Sequence, residues 1–211
     1  MENGASEETF TFGMGCFWSP EALFGAMPGV VRTRVGYAGG TTDTPTYREM
    51  GDHSETVEVV FDPDLLPIET LLDAFWRHHK PGNINDYSGR QYMSLLFYRD
   101  EKQRAAMQTV KHRLERELGE LATEIAPYAG FTVAEEHHQM YYLKRYPDAV
   151  AKLRTLFPSE DEWQDGTLAA RLNGLAKGYT NRERIEQEIG GWPVDDEERE
   201  RMLRTIRQIR W

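Results

Sequence analysis

The stretch Thr9-Phe10-Thr11-Phe12-Gly13-Met14-Gly15-Cys16-Phe17-Trp18-Ser19-Pro20-Glu21 changes character at its middle. Its first half alternates polar and aromatic residues, as a half-buried strand does. Its last residues start a helix: a capping hydroxyl at Ser19, a proline tolerated in the first turn, then an acid near the positive end. Gly13 and Gly15 allow the sharp turn between them and let another molecule approach the backbone closely. This arrangement sets Cys16 at the mouth of a helix, where partial positive charge and unpaired N–H groups favour thiolate over thiol. Phe17 and Trp18 would wall an apolar pocket beside it. By position alone, Cys16 reads equally as a small buried hydrophobe.

Outward from this stretch, the helix should end near Pro28-Gly29, and residues 30–37 are β-rich. Residues 56–61 form a strand closed by Asp62-Pro63. Ile68, Leu71, Leu72, Phe75 and Trp76 recur at helical spacing, residues 94–98 read as a strand, and residues 100–118 as a charged amphipathic helix. A further strand is expected over 122–126 and a helix over 133–145. The fold class implied is α/β (α+β), a two-layer sandwich with a mixed central sheet covered by helices. From about Pro158 the pattern becomes short helical pieces over 167–175, 181–189 and 195–209. The division expected is a tail over 1–8, a main domain over 9–157 and a helical C-terminal extension over 158–211.

Composition narrows the function. The 211 residues carry 35 Asp+Glu against 25 Lys+Arg, a net charge of −10. That balance argues against nucleic acid as a partner. No apolar run approaches the roughly 20 residues of a membrane span. The acidic, polar start is unlike a signal or transit peptide, so a cytoplasmic location is expected. Cys16 is the one cysteine, which excludes an internal disulfide, a CxxC redox motif and thiolate-rich metal sites. Glu135-Glu136-His137-His138 contains one Glu-x-x-His without a second copy, so no bound metal or cofactor is expected.

Gly15-Cys16-Phe17-Trp18 followed by Glu21 resembles the active-site signature of the A-type peptide methionine sulfoxide reductases. Further matches follow in family order: Val35-Gly36-Tyr37-Ala38-Gly39-Gly40, Pro45-Thr46-Tyr47, His53-Ser54-Glu55, Phe61-Asp62-Pro63, Gln91-Tyr92-Met93-Ser94 and Ala134-Glu135-Glu136-His137-His138-Gln139. The resemblance implies an oxidoreductase acting on methionine sulfoxide, free or in proteins. It assigns the attacking sulfur to Cys16, the proton donor to Glu55, and the oxygen-binding hydroxyls to Tyr47 and Tyr92. Phe17 and Trp18 would receive the substrate methyl group, with Asp86 and His53 also at the substrate. A carboxyl group donates a proton near neutrality only if burial raises its pKa, so Glu55 should be sheltered.

The sequence departs from the family at the rim. His79-Lys80-Pro81-Gly82 stands where His-Asp-Pro-Thr is usual, and Tyr87 stands at a common aspartate position, with Asp86 one residue earlier. The segment between Tyr47 and Glu55 is shorter than the usual form. Many members also carry a resolving cysteine that condenses with the sulfenic acid; this chain does not. Cys16 would therefore be recycled by an external thiol: thioredoxin, glutaredoxin with glutathione, or another low-molecular-weight thiol. The competing readings are a thiol redox sensor or binding module with the same fold, and a cysteine hydrolase using His53.

Overall fold

The computed structural model describes residues 6–84 and 89–211. Most of the expected tail, and Asp86, lie outside the described residues. Six strands form one sheet in the order β5-β4-β1-β3-β2-β6. They are β1 (Glu8–Met14), β2 (Val30–Ala38), β3 (Ser54–Phe61), β4 (Ser94–Tyr98), β5 (Glu124–Pro127) and β6 (Phe131–Val133). The β4–β5 pair is parallel and the other pairs are antiparallel, so the sheet is mixed. The helices are α1 (Trp18–Gly25), α2 (Ile68–Arg77), α3 (Glu101–Leu118), α4 (Tyr141–Lys144), α5 (Pro147–Leu156), α6 (Glu160–Gln164), α7 (Thr167–Lys177), α8 (Arg182–Ile189) and α9 (Asp196–Arg207). The α/β sandwich and its mixed sheet are as the sequence implies.

Strand alternation builds the core. Phe12 of β1 sits opposite Val57 on one side and Leu96 on the other. All three join Phe10, Val59 and Phe61 in a cluster with Phe24 of α1, Phe75 and Trp76 of α2, and Leu114 of α3. The intervening residues of β4, Leu95 and Phe97, belong instead to a small cluster with Ala38, against which Tyr128 and Phe131 pack. The period of two along β4 thus assigns successive side chains to opposite faces. Each fully buried aromatic of the main cluster contributes about 1.5–3 kcal/mol through burial. Phe12 and Phe24 lie with ring centroids 4.4 Å apart, which holds α1 over the centre of the sheet.

A second cluster joins Met140, Leu143, Ala149 and Leu153 to Trp163, Leu168, Leu172, Ile185, Ile189 and Met202. The helical part therefore packs as one unit from Met140 onward. Where α7 meets α1 the backbones nearly touch: a Cβ on Gly174 would fall 2.6 Å from Ala26 Cβ and 2.9 Å from Ala22 O. Arg171, 1% exposed, ties the two parts with bonds to Gly25 O (2.8 Å) and Val30 O (2.7 Å) and an ion pair with Glu188 (2.6 Å).

The helix expected over 133–145 does not form. Residues Phe131–Val133 add a strand to the edge of β2, a 3-10 turn covers Glu136–His138, and Met140 adopts φ +51 before the short α4. The cause is tertiary. Gln139 sends its amide to the backbone, accepting from Val35 N (3.0 Å) and donating to Val35 O and Ala134 O (both 2.9 Å). Those bonds pin the segment along β2 and compete with an i to i−4 ladder.

Candidate active site

Gly15, at φ +89, turns the chain out of β1 toward α1. A Cβ there would lie 2.7 Å from Ile84 Cγ2, so both conformation and space call for glycine. Cys16 follows, half-buried, one residue before the N-cap Phe17. The Trp18 N–H bonds to its sulfur, as a helix mouth should, and lowers the thiol pKa. Burial outweighs that bond, and the Glu55 carboxylate adds to it, so the pKa stands above the usual thiol value. The thiolate preference expected from the helix mouth is thus overturned in the resting site by desolvation.

Glu55, near the start of β3, is 1% exposed. Its Oε2 accepts the Phe17 N–H (3.1 Å) and its Oε1 accepts from Gln91 Nε2 (2.9 Å). The bond from Phe17 places the carboxyl group beside the residue that follows Cys16. Burial raises the Glu55 pKa, against the lowering effect of both bonds. Gln91 is itself fixed, since its carbonyl accepts the Glu55 N–H at 2.8 Å.

Tyr47 and Tyr92, from separate loops, bond to one another, and Tyr92 feels the charge of this carboxyl. Burial raises the Tyr92 pKa first, then the bond to Tyr47 and the negative charges of Glu55 and Cys16. Burial thus favours the neutral, donating form of the Tyr92 hydroxyl. Glu135 secures Tyr47 from behind: its Oε1 accepts the Tyr47 N–H (2.9 Å) and its Oε2 accepts the Tyr37 hydroxyl (2.6 Å).

Phe17 and Trp18 supply the apolar wall. Phe17 is buried, with its ring 5.3 Å from that of His138. Trp18 stacks on Tyr141 at 3.7 Å and 3°. Its indole N–H donates to His138 Nδ1 at 3.2 Å, which puts the imidazole proton on Nε2. Among the described residues that Nε2 has no hydrogen-bond partner, and Tyr47 packs over the same ring at 4.9 Å. Burial lowers the His138 pKa, so the ring is neutral.

The structure thus brings Cys16, Glu55, Tyr47, Tyr92, Phe17 and Trp18 together. It places His53 elsewhere: Nδ1 accepts the Gly40 N–H (3.2 Å) and Nε2 donates to Thr42 O (2.8 Å), so both nitrogens brace the loop after β2. Gln91 was not singled out by sequence reasoning, and Glu135 and His138, read there only as a lone Glu-x-x-His, stand beside the site as hydrogen-bond partners of Tyr47 and Trp18. The available signal was the adjacency of Gln91 to Tyr92 and the quoted motif 134–139, whose expected helical form concealed its role.

A family model, peptide methionine sulfoxide reductase, matches residues 8–165. The chain belongs to the peptide methionine sulfoxide reductase family. It is an oxidoreductase, with relatives named for that activity. A Drosophila melanogaster peptide methionine sulfoxide reductase is 42% identical over 185 residues, covering 87% of this chain and 74% of that one. That alignment is longer than the stretch matched by the family model and reaches into the extension of this reductase. Reduced Mxr1 from Saccharomyces cerevisiae superposes with a TM-score of 0.62 at 29% identity, over 70% of this chain and 90% of Mxr1. Mxr1 is also known in complex with Trx2; that form gives a TM-score of 0.50 at 25% identity, over 65% of this chain and 88% of that one.

Proposed function

We propose that this reductase acts on the S epimer of methionine sulfoxide, free or in proteins, with Cys16 as nucleophile and Glu55 as acid. The observation that carries this reading is the buried Glu55 carboxyl group, bonded to the Phe17 N–H next to the sulfur. Thiolate and carboxylate repel each other here, so the pair favours holding a proton. The productive form has the thiolate on Cys16 and the proton on Glu55. The sulfur attacks the sulfoxide sulfur while Glu55 and the hydroxyls of Tyr47 and Tyr92 polarise and protonate the oxygen. The oxygen ends on Cys16 and methionine departs, so a thiol and a sulfoxide become a sulfenic acid and a thioether. Phe17 and Trp18 take the methyl group. His138 accepts the Trp18 indole N–H through Nδ1, which occupies the nitrogen a hydrolase base would need.

Regeneration falls to an external thiol, because Cys16 is the one cysteine. The complex of Mxr1 with Trx2 supports a thiol reductant for this family. A cytoplasmic setting, where low-molecular-weight thiols are kept reduced, suits that chemistry. Among the described residues no helix is long and apolar enough to cross a membrane.

The test is a single turnover without reductant. Reduced protein mixed with excess methionine-S-sulfoxide should release about one methionine per chain and leave sulfenic acid at Cys16. A chain that releases no methionine, yet forms sulfenic acid with peroxide, would be a redox sensor with the same fold.

A further inference from the structure

Cys16 lines a cleft of about 390 Å³ between α1, the turn after α2 and the extension, together with Ser19, His78, Lys80 and Tyr179 among others. Phe17, Trp18, Glu55, Tyr47 and Tyr92 are not among the residues lining it.

The chain carries −10 overall, yet no Asp or Glu stands among the described residues lining this space. Lys80 is exposed at its rim and makes no ion pair with the described residues. Exposed His78 stands beside it, its Nδ1 bonded to Ala74 O at 2.8 Å. His79 adds no charge, since burial lowers its pKa to about 4. Tyr179 closes the far side: Gly178, at φ +89, ends α7 and directs the chain to it. The volume suits a small molecule of a few linked groups.

We propose that this cleft receives the low-molecular-weight thiol that regenerates Cys16, and that the thiol is anionic, its carboxylate held at Lys80. The inference rests on the reductase reading for the origin of the sulfenic acid. The thiol sulfur bonds to Cys16 Sγ, the S–O bond breaks, and the oxygen leaves as water with the thiol proton. A second thiol then takes the first from the mixed disulfide, returning Cys16 as thiol and leaving an external disulfide. Across the cycle two thiols are oxidised and one sulfoxide is reduced.

The experiment forms sulfenic acid at Cys16 in two ways, with methionine sulfoxide while counting released methionine, and with limiting hydrogen peroxide. The mixed disulfide is then timed by intact mass with 3-mercaptopropionate, 2-mercaptoethanol and cysteamine, rates being referred to thiolate concentration. At low salt the anionic thiol should react about tenfold faster than the cationic one, and the preference should shrink in about 1 M salt. Lys80→Gln should reduce that preference and Lys80→Glu should abolish or reverse it. An unchanged preference in Lys80→Glu, or none in the parent protein, overturns the proposal. Absent methionine release with a Lys80-dependent preference in the peroxide arm would instead overturn the reductase reading and leave the cleft assignment standing.

Discussion

Glu55 holds two oxygens against two donors while burial favours its neutral form, so a small chemical change there should have a large kinetic effect. Glu55→Gln keeps the shape and an acceptor for Phe17 N–H but has no proton to give. Its turnover should fall by about 10²–10⁴, the range for loss of a general acid, in steady-state assays with a fixed thiol. Cys16→Ser should release no methionine at all. The pH profile of methionine release in the parent protein should be bell-shaped. The rate rises as one group of the Cys16–Glu55 pair loses its proton and falls as the second is lost. In Glu55→Gln the falling limb should vanish, and the rising limb should reflect a Cys16 with a lower pKa, since the carboxylate that opposed its ionisation is gone. At this scale the proposed reactive residues were legible through the ordered motifs of the family resemblance, since by position alone Cys16 reads equally as a buried hydrophobe. The supporting ones were not. Gln91 matters because its amide and carbonyl both meet Glu55 across the fold, and no local pattern encodes that pairing.

Elements were readable where their periodicity answered to a core and misread where a single long-range contact decided them. Helix α2 shows its apolar stripe openly, whereas 133–145 has helix-forming residues but is held along β2 by Gln139. Glu21 looked like a helix-start acid; in the fold it is wholly buried, accepting from Met140 N at 3.0 Å and from Asn173 Nδ2 at 3.5 Å. Burial raises its pKa from 4.5 to about 8. The folded chain then binds more protons than the unfolded one, so this contribution is complete below about pH 4.5 and fades as pH rises through 8. Glu21→Gln should flatten that part of the stability profile, measured as urea midpoints from pH 5 to 8. Gly174→Ala tests the α1–α7 contact. The added methyl group has no room beside Ala26, so the change should cost about 1–3 kcal/mol and lower the Tm by about 2–4 °C per kcal/mol.

Across the whole molecule, the sheet domain and the helical part share a seam rather than a linker. Arg171 crosses it, and its guanidinium is satisfied by two carbonyls from the sheet side and by Glu188 from the helical side. Arg171→Ala would leave Glu188 without its strongest partner and two carbonyls unpaired. The expected loss is about 3–5 kcal/mol, seen as a lower urea midpoint with an unchanged slope. The bend of the chain into that seam was invisible in sequence, because the second cluster recruits Met140 and Leu143 well before the change of pattern near Pro158.

That packing also ranks the protein's own sulfur atoms by their exposure to oxidants. Met14, Met50, Met107, Met140 and Met202 are buried among apolar side chains, while Met27 and Met93 are only partly covered. Peroxide reaching the chain meets the latter two before the interior thioethers. A reductase so arranged keeps its core from becoming a substrate for its own kind.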